Sequence, residues 1–107
     1  MKNLGQMMKQ VQEMQARMQE MQTRLEKETV TGQSGGGLVK VALNGKGALK
    51  SVMIDPSLLR VEEREILEDL IVAAHADAKN RVEQMVAEEM KSITGGLPLP
   101  PGFQLPF

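Results

Sequence analysis

The N-terminal quarter of the chain carries apolar residues whose spacing alternates between three and four. This spacing is the a/d seam of a coiled coil, which is narrower than the apolar stripe of an ordinary core helix. The pattern therefore predicts a long helix that needs one partner helix, from the same chain or from a second copy. The seam consists of Leu4, Met7, Val11, Met14, Met18, Met21 and Leu25.

The composition limits both the core and the chemistry. The 107 residues fit one domain, and the only aromatic residues are Phe103 and Phe107, so we expect a core of aliphatic and methionine side chains. The absence of cysteine excludes disulfides and thiolate chemistry. We find no apolar run long enough to span a membrane and no signal peptide, so we expect a cytoplasmic protein.

The charge is distributed unevenly along the chain. The formal net charge is −1, but residues 1–27 and 28–61 each carry +2, and residues 62–94 carry −5. The N-terminal part of the sequence is mildly basic and the C-terminal part is acidic. This asymmetry indicates which part of the protein would face a polyanion.

The pattern changes from helical to extended after the seam. We expect a first helix from about Asn3, as its cap, to Lys27. A short strand at residues 29–31 and a flexible connection at 33–37 follow. Two further strands at 38–43 and 48–55 are joined by a turn at 44–47. The three strands form a predicted antiparallel meander.

A second long helix is predicted from roughly Glu62 to Ile93, closed by Gly95 and Gly96. Alanines in the middle of its apolar stripe would let a partner helix come close. At ~1.5 Å per residue the two helices measure about 38 and 48 Å, so they must overhang strands of only about 20 Å. We expect an α+β protomer of order αβββα, in which the two long helices pack together as a protruding arm.

The same pattern predicts the domain organisation. Residues 1–94 are expected to form one domain, and residues 95–107, with four prolines, an extended or disordered tail. A sheet of three short strands has two unpaired edges, so we expect a homodimer joined through the sheet.

No group of residues indicates catalysis. His75 is the only histidine and has no nucleophile or second ligand near it in sequence, so we expect a structural or surface histidine. The glycines between residues 35 and 47 match no phosphate-binding motif, and the acids that begin the second helix suit its dipole. We expect no enzymatic activity, cofactor, metal or small-molecule substrate.

Several segments together resemble the YbaB/EbfC family of bacterial nucleoid-associated proteins. They are the methionine- and glutamine-rich first helix, residues 35–41 (GGGLVKV), 44–47 (NGKG), 54–56 (IDP) and 95–103 (GGLPLPPGF). The resemblance covers essentially the whole chain. It implies a tweezer-shaped, cytoplasmic homodimer whose helical arms hold double-stranded DNA, with a role in nucleoid organisation and gene expression.

Charge and position select the candidate DNA contacts. The lack of Tyr and Trp disfavours stacking on bases, so we expect contact with the duplex backbone and little sequence readout. The candidates are Lys2, Lys9, Arg17 and Arg24 on the first helix, and Lys40, Lys46 and Lys50 at the sheet. Ordinary surface charge is the alternative for the four on the first helix. The alternative function is a protein-interaction adaptor or holdase that uses the methionine seam and the Pro/Phe tail.

Overall fold

The structure is a computed structural model, and it describes residues 3–94. Lys2, the glycine pair at 95–96 and the proline-rich tail lie outside the described residues. The order αβββα is confirmed. The elements are α1 (Leu4–Lys27), β1 (Val30–Ser34), β2 (Val39–Leu43), β3 (Leu49–Ile54) and α2 (Arg64–Thr94), with single 3₁₀ turns at Gly35–Gly37, Pro56–Leu58 and Val61–Glu63.

The three strands form an antiparallel sheet in the order β1-β2-β3, which confirms the predicted meander. The expected boundaries of β1 were wrong, because Gln33 and Ser34 belong to the strand and not to a flexible connection. Contacts with α2 explain this difference. The Gln33 N–H donates to Asp77 Oδ2 at 3.0 Å, and Ser34 Oγ donates to the Leu70 carbonyl at 2.6 Å.

Helix α2 packs across β1 and β2 and leaves β3 largely uncovered. The alanine stripe of α2 was expected to admit a helix, but it admits β1 instead. A Cβ placed on Gly32 would lie 2.2 Å from the Ala78 nitrogen and 2.6 Å from the Ala74 oxygen. The core is aliphatic and methionine-rich, as expected. Its buried members are Met21, Leu25, Val39, Val41, Leu43, Leu58, Ala74, Ala78, Val82, Val86 and Met90.

The turn between β2 and β3 anchors the end of α1 to the sheet. Asn44 Oδ1 accepts hydrogen bonds from the backbone N–H groups of Lys46 and Ala48, at 2.8 and 3.0 Å. The Gly45 N–H donates to the Leu25 carbonyl at 2.7 Å, and a Cβ on Gly45 would lie 2.6 Å from Leu25 Cδ2. The turn therefore closes directly against the last turn of α1.

Helix α1 approaches the sheet while α2 leaves it, so the two run antiparallel. Glu89 lies beside Arg24, with 3.2 Å between Oε2 and Nη2. The last residues of α2 therefore reach only to about residue 19 of α1. The preceding part of α1, here called the arm, projects about 22 Å further. The molecule measures 71 × 25 × 17 Å, which confirms the expected overhang.

The expected pairing of the whole seam with α2 was wrong for its first half. Met21 and Leu25 are buried and Met18 is half-buried against the core. The four preceding seam residues are exposed, because α2 ends before reaching them. They are Leu4, Met7, Val11 and Met14.

Candidate nucleic-acid interface

The basic residues of α1 lie on one side of the helix. At 3.6 residues per turn, Lys9, Arg17 and Arg24 fall within an arc of about 80°. Glu13 and Glu20 lie within the same arc, and all five side chains are exposed. This side of α1 therefore alternates positive and negative charge and is not a continuous basic patch.

Two of the candidate DNA contacts form ion pairs with acids of this chain. Arg24 pairs with Glu89, and Lys46 Nζ lies 2.8 Å from Glu26 Oε1. The hydrogen bond and the charge of Lys46 hold the pKa of Glu26 below its ordinary value. Both pairs are largely open to solvent, so each contributes little to stability. A phosphate group can therefore compete for either base.

The lysines of the sheet are not gathered with those of the arm. Lys50 Nζ donates a hydrogen bond to Thr29 Oγ1, near the base of α1. Lys40 lies on the sheet face opposite α2, at the end of β2 that is farther from the β2–β3 turn. It pairs in register with Met53. Within residues 3–94, Lys9, Arg17 and Lys40 make no ion pair.

Sequence reasoning left one exposed base of α1 off the candidate set. Lys27 follows Lys9 by five complete helical turns and so lies on the same side of α1. It makes no ion pair among the described residues. The spacing of 18 residues between Lys9 and Lys27 is a whole number of helical turns, and this spacing is the signal in the sequence that could have identified Lys27. The opposite side of the helix carries Gln12, Gln15, Gln19 and Gln22, and Glu26 lies among them as its one acid.

The described residues contain no group of three or more His, Cys, Asp and Glu that could hold a metal. His75 is exposed on α2, as expected of a surface histidine. No helix within residues 3–94 is long and apolar enough to cross a membrane.

Comparison with known proteins gives a consistent result. A family model described as the YbaB/EbfC DNA-binding family matches residues 1–97. The chain is 61% identical to a nucleoid-associated protein of Rhodospirillum centenum and 55% identical to one of Rhodospirillum rubrum, over all 107 residues of each. The crystal structure of an uncharacterized protein from Helicobacter pylori is similar, with a TM-score of 0.76 and 27% identity. That match covers 86% of this chain and 97% of the other.

Proposed function

Because this chain belongs to the YbaB/EbfC DNA-binding family, we propose that it binds double-stranded DNA through the phosphate backbone, with little sequence specificity. It acts as a homodimer in the bacterial cytoplasm, where it associates with the nucleoid and affects nucleoid organisation and gene expression. The relatives named as nucleoid-associated proteins match over their full length, which supports this location. The function requires no catalytic group.

The projecting part of α1 is the observation that carries this proposal. About 22 Å of helix stands free of the sheet, so it can reach along a groove or around a duplex. Its charged side presents Lys9 and Arg17 without competing ion pairs in the described chain. Two arms in a dimer would present these bases to both sides of a duplex.

The charge pattern of the arm predicts the strength and the specificity of binding. Acids interleave with the bases, so each protomer can neutralise only a few phosphates. Phosphate contacts position a protein without reading sequence, whereas specific readout needs side chains that reach base edges. The arm lacks aromatic residues, and its glutamines add neutral donors for phosphate oxygens. Binding should therefore be weak, sensitive to salt and nearly independent of sequence.

The sheet supports the homodimer. β3 is an edge strand, and its face on the α2 side is left uncovered. Val52 remains 39% exposed on that face, and Met53 is 63% exposed on the other. Unpaired apolar edges of this kind favour pairing with another chain. A second copy that covers β3 would leave both arms free.

A salt titration of duplex binding tests the proposal. We expect log Kobs to fall linearly with log salt, with a slope of about −0.9 for each phosphate neutralised. The double variant Lys9→Ala/Arg17→Ala should bind more weakly at low salt and should show a shallower slope. Fluorescence anisotropy on two duplexes of unrelated sequence measures affinity and specificity together.

The matched control is Arg60→Ala/Lys79→Ala, which removes the same charge from exposed positions away from the arm. Its slope should equal that of the unmodified chain. Equal weakening by both double variants would show that net charge and not the arm governs binding. No binding at any salt by correctly folded protein would overturn the proposal and favour the protein-interaction adaptor.

A further inference from the structure

Four apolar side chains of α1 form an exposed surface beyond the end of α2, here called the N-terminal stripe. They are Leu4, Met7, Val11 and Met14, with exposed fractions of 59, 58, 56 and 40%. They continue the line of Met21 and Leu25, which are buried. The same seam is therefore covered where α2 is present and uncovered where α2 has ended. A contiguous stripe of this kind indicates a docking surface.

We propose that the C-terminal segment of the same chain, residues 95–107, packs along the N-terminal stripe. The position and direction of α2 support this assignment. Thr94 lies level with about residue 19 of α1, and α2 runs toward the N-terminus of α1. A chain that continues from Thr94 in the direction of α2 would therefore run along α1 toward Met14 and the rest of the stripe.

The length of the segment is sufficient. The part of α1 that extends past α2 measures about 22 Å. An extended chain advances ~3.1 Å per residue, so about seven residues are enough to cover this distance. Residues 95–107 exceed that requirement, which leaves several residues for a second apolar contact.

The chemistry of the segment matches the stripe and not the neighbouring faces of the helix. Residues 95–107 contain no charged side chain, and their apolar members are Leu97, Leu99, Phe103, Leu105 and Phe107. Methionine side chains adapt to irregular partners and make favourable sulfur–aromatic contacts. Prolines restrict the free chain and so reduce the entropy that docking costs. Attachment in the same chain adds a high effective concentration.

Paired cysteines test the placement directly, because the chain has no cysteine of its own. In the full chain, Val11→Cys on the stripe is combined with Pro98→Cys, because four extended residues after Thr94 advance ~12 Å, which is about the distance along α1 from residue 19 to Val11. The control combines Ala16→Cys with Pro98→Cys. Ala16 lies about 140° around the helix from Val11 and closer to the end of α2, so an undocked segment would reach it at least as easily.

We expect an intrachain disulfide to form at least about 10-fold faster in the Val11→Cys pair, measured by mass spectrometry during mild oxidation. Equal rates in the two pairs would overturn the proposal. A disulfide that joins two chains would show that a second copy supplies the segment, which would overturn the assignment to the same chain. The experiment contains no DNA, so its outcome is independent of the proposed function.

Hydrogen exchange gives a second measurement that needs no cysteine. In a chain that ends at Gly96, amides within residues 7–17 should exchange at least about 10-fold faster than in the full chain. Leu99→Ser in the full chain should move exchange in the same direction, because residue 99 is level with the part of α1 between Val11 and Met7. Amides of β2 should be unaffected, because they lie in the core. Unchanged exchange in residues 7–17 of both variants would contradict the docking.

Discussion

At the scale of single residues, two glycines allow the elements to approach one another closely. Gly32 lets β1 lie against the backbone of α2, and Gly45 lets the β2–β3 turn lie against Leu25. In both places a Cβ would fall within 3 Å of backbone atoms, which cannot move like the end of a flexible side chain. The elements can therefore approach this closely only because glycine has no side chain.

The substitution Gly32→Ala should destabilise the protein by about 3 kcal/mol, the upper end of the range for overpacking, because β1 and α2 must separate. Gly5→Ala is the matched control. Its Cβ meets nothing within 4 Å, and alanine favours a helix, so this variant should be as stable as the parent or slightly more stable. Urea denaturation followed by circular dichroism, at one protein concentration, measures both. Equal midpoints would contradict the close packing.

At the scale of elements, Asp77 joins the middle of α2 to β1. Its Oδ2 accepts from the Gln33 N–H at 3.0 Å and from Arg81 Nε at 3.2 Å. The Gln33 hydrogen bond, followed by Arg81, holds the pKa of Asp77 below its ordinary value of 3.8. A depressed carboxyl pKa stabilises the folded state above the unfolded pKa, and this contribution is lost as pH falls through the folded pKa.

We expect Asp77→Asn to be less stable than the parent at neutral pH and to depend less on pH below about 4. The exposed acid Asp69 makes no hydrogen bond to the sheet among the described residues, so Asp69→Asn is the control. Thermal unfolding between pH 2 and 7 measures all three proteins. A parallel pH dependence in Asp77→Asn and the parent would show that this carboxylate does not link α2 to β1.

At the scale of the whole molecule, the sheet and the arms have different surfaces. The radius of gyration is 19.1 Å, whereas a compact domain of about 100 residues has about 13 Å. Most of this excess comes from the projecting helix. The sheet has an uncovered apolar edge at β3 that suits dimerisation, and the arms have polar and charged faces that suit a ligand.

Val52→Lys should weaken the proposed dimer, because a charge would be buried at the edge of β3 without a partner. A cost of about 3 kcal/mol corresponds to roughly a 100-fold rise in the dimer dissociation constant. Met8→Lys places the same charge on an exposed apolar residue of the arm, and it should leave the constant unchanged. Analytical ultracentrifugation over a concentration series distinguishes these outcomes. A monomeric parent protein at every concentration would disprove the dimer.

Local patterns were sufficient to predict the elements. The three–four spacing indicated α1, the alternation in β2 and β3 indicated strands, and the Asn44–Gly45 pair indicated the turn between them. The end of β1 was missed because its glycine-rich sequence favours a loop. Hydrogen bonds that it donates to the Asp77 carboxylate and the Leu70 carbonyl hold it as a strand. The basic residues were visible in the sequence, but their pairing was not. Glu89 is 65 positions from Arg24 in the chain.

The sequence by itself determined the order of the elements, the aliphatic core and the need of α1 for a partner, because periodicity and composition are properties of neighbouring residues. Only the tertiary structure decided where that partner ends. α2 crosses the sheet before it meets α1, so its remaining length covers Met18 to Leu25 and leaves Leu4 to Met14 exposed. The same crossing places Gly32 against Ala74 and Ala78. Such distances depend on how far each helix travels over the sheet, which no local pattern records.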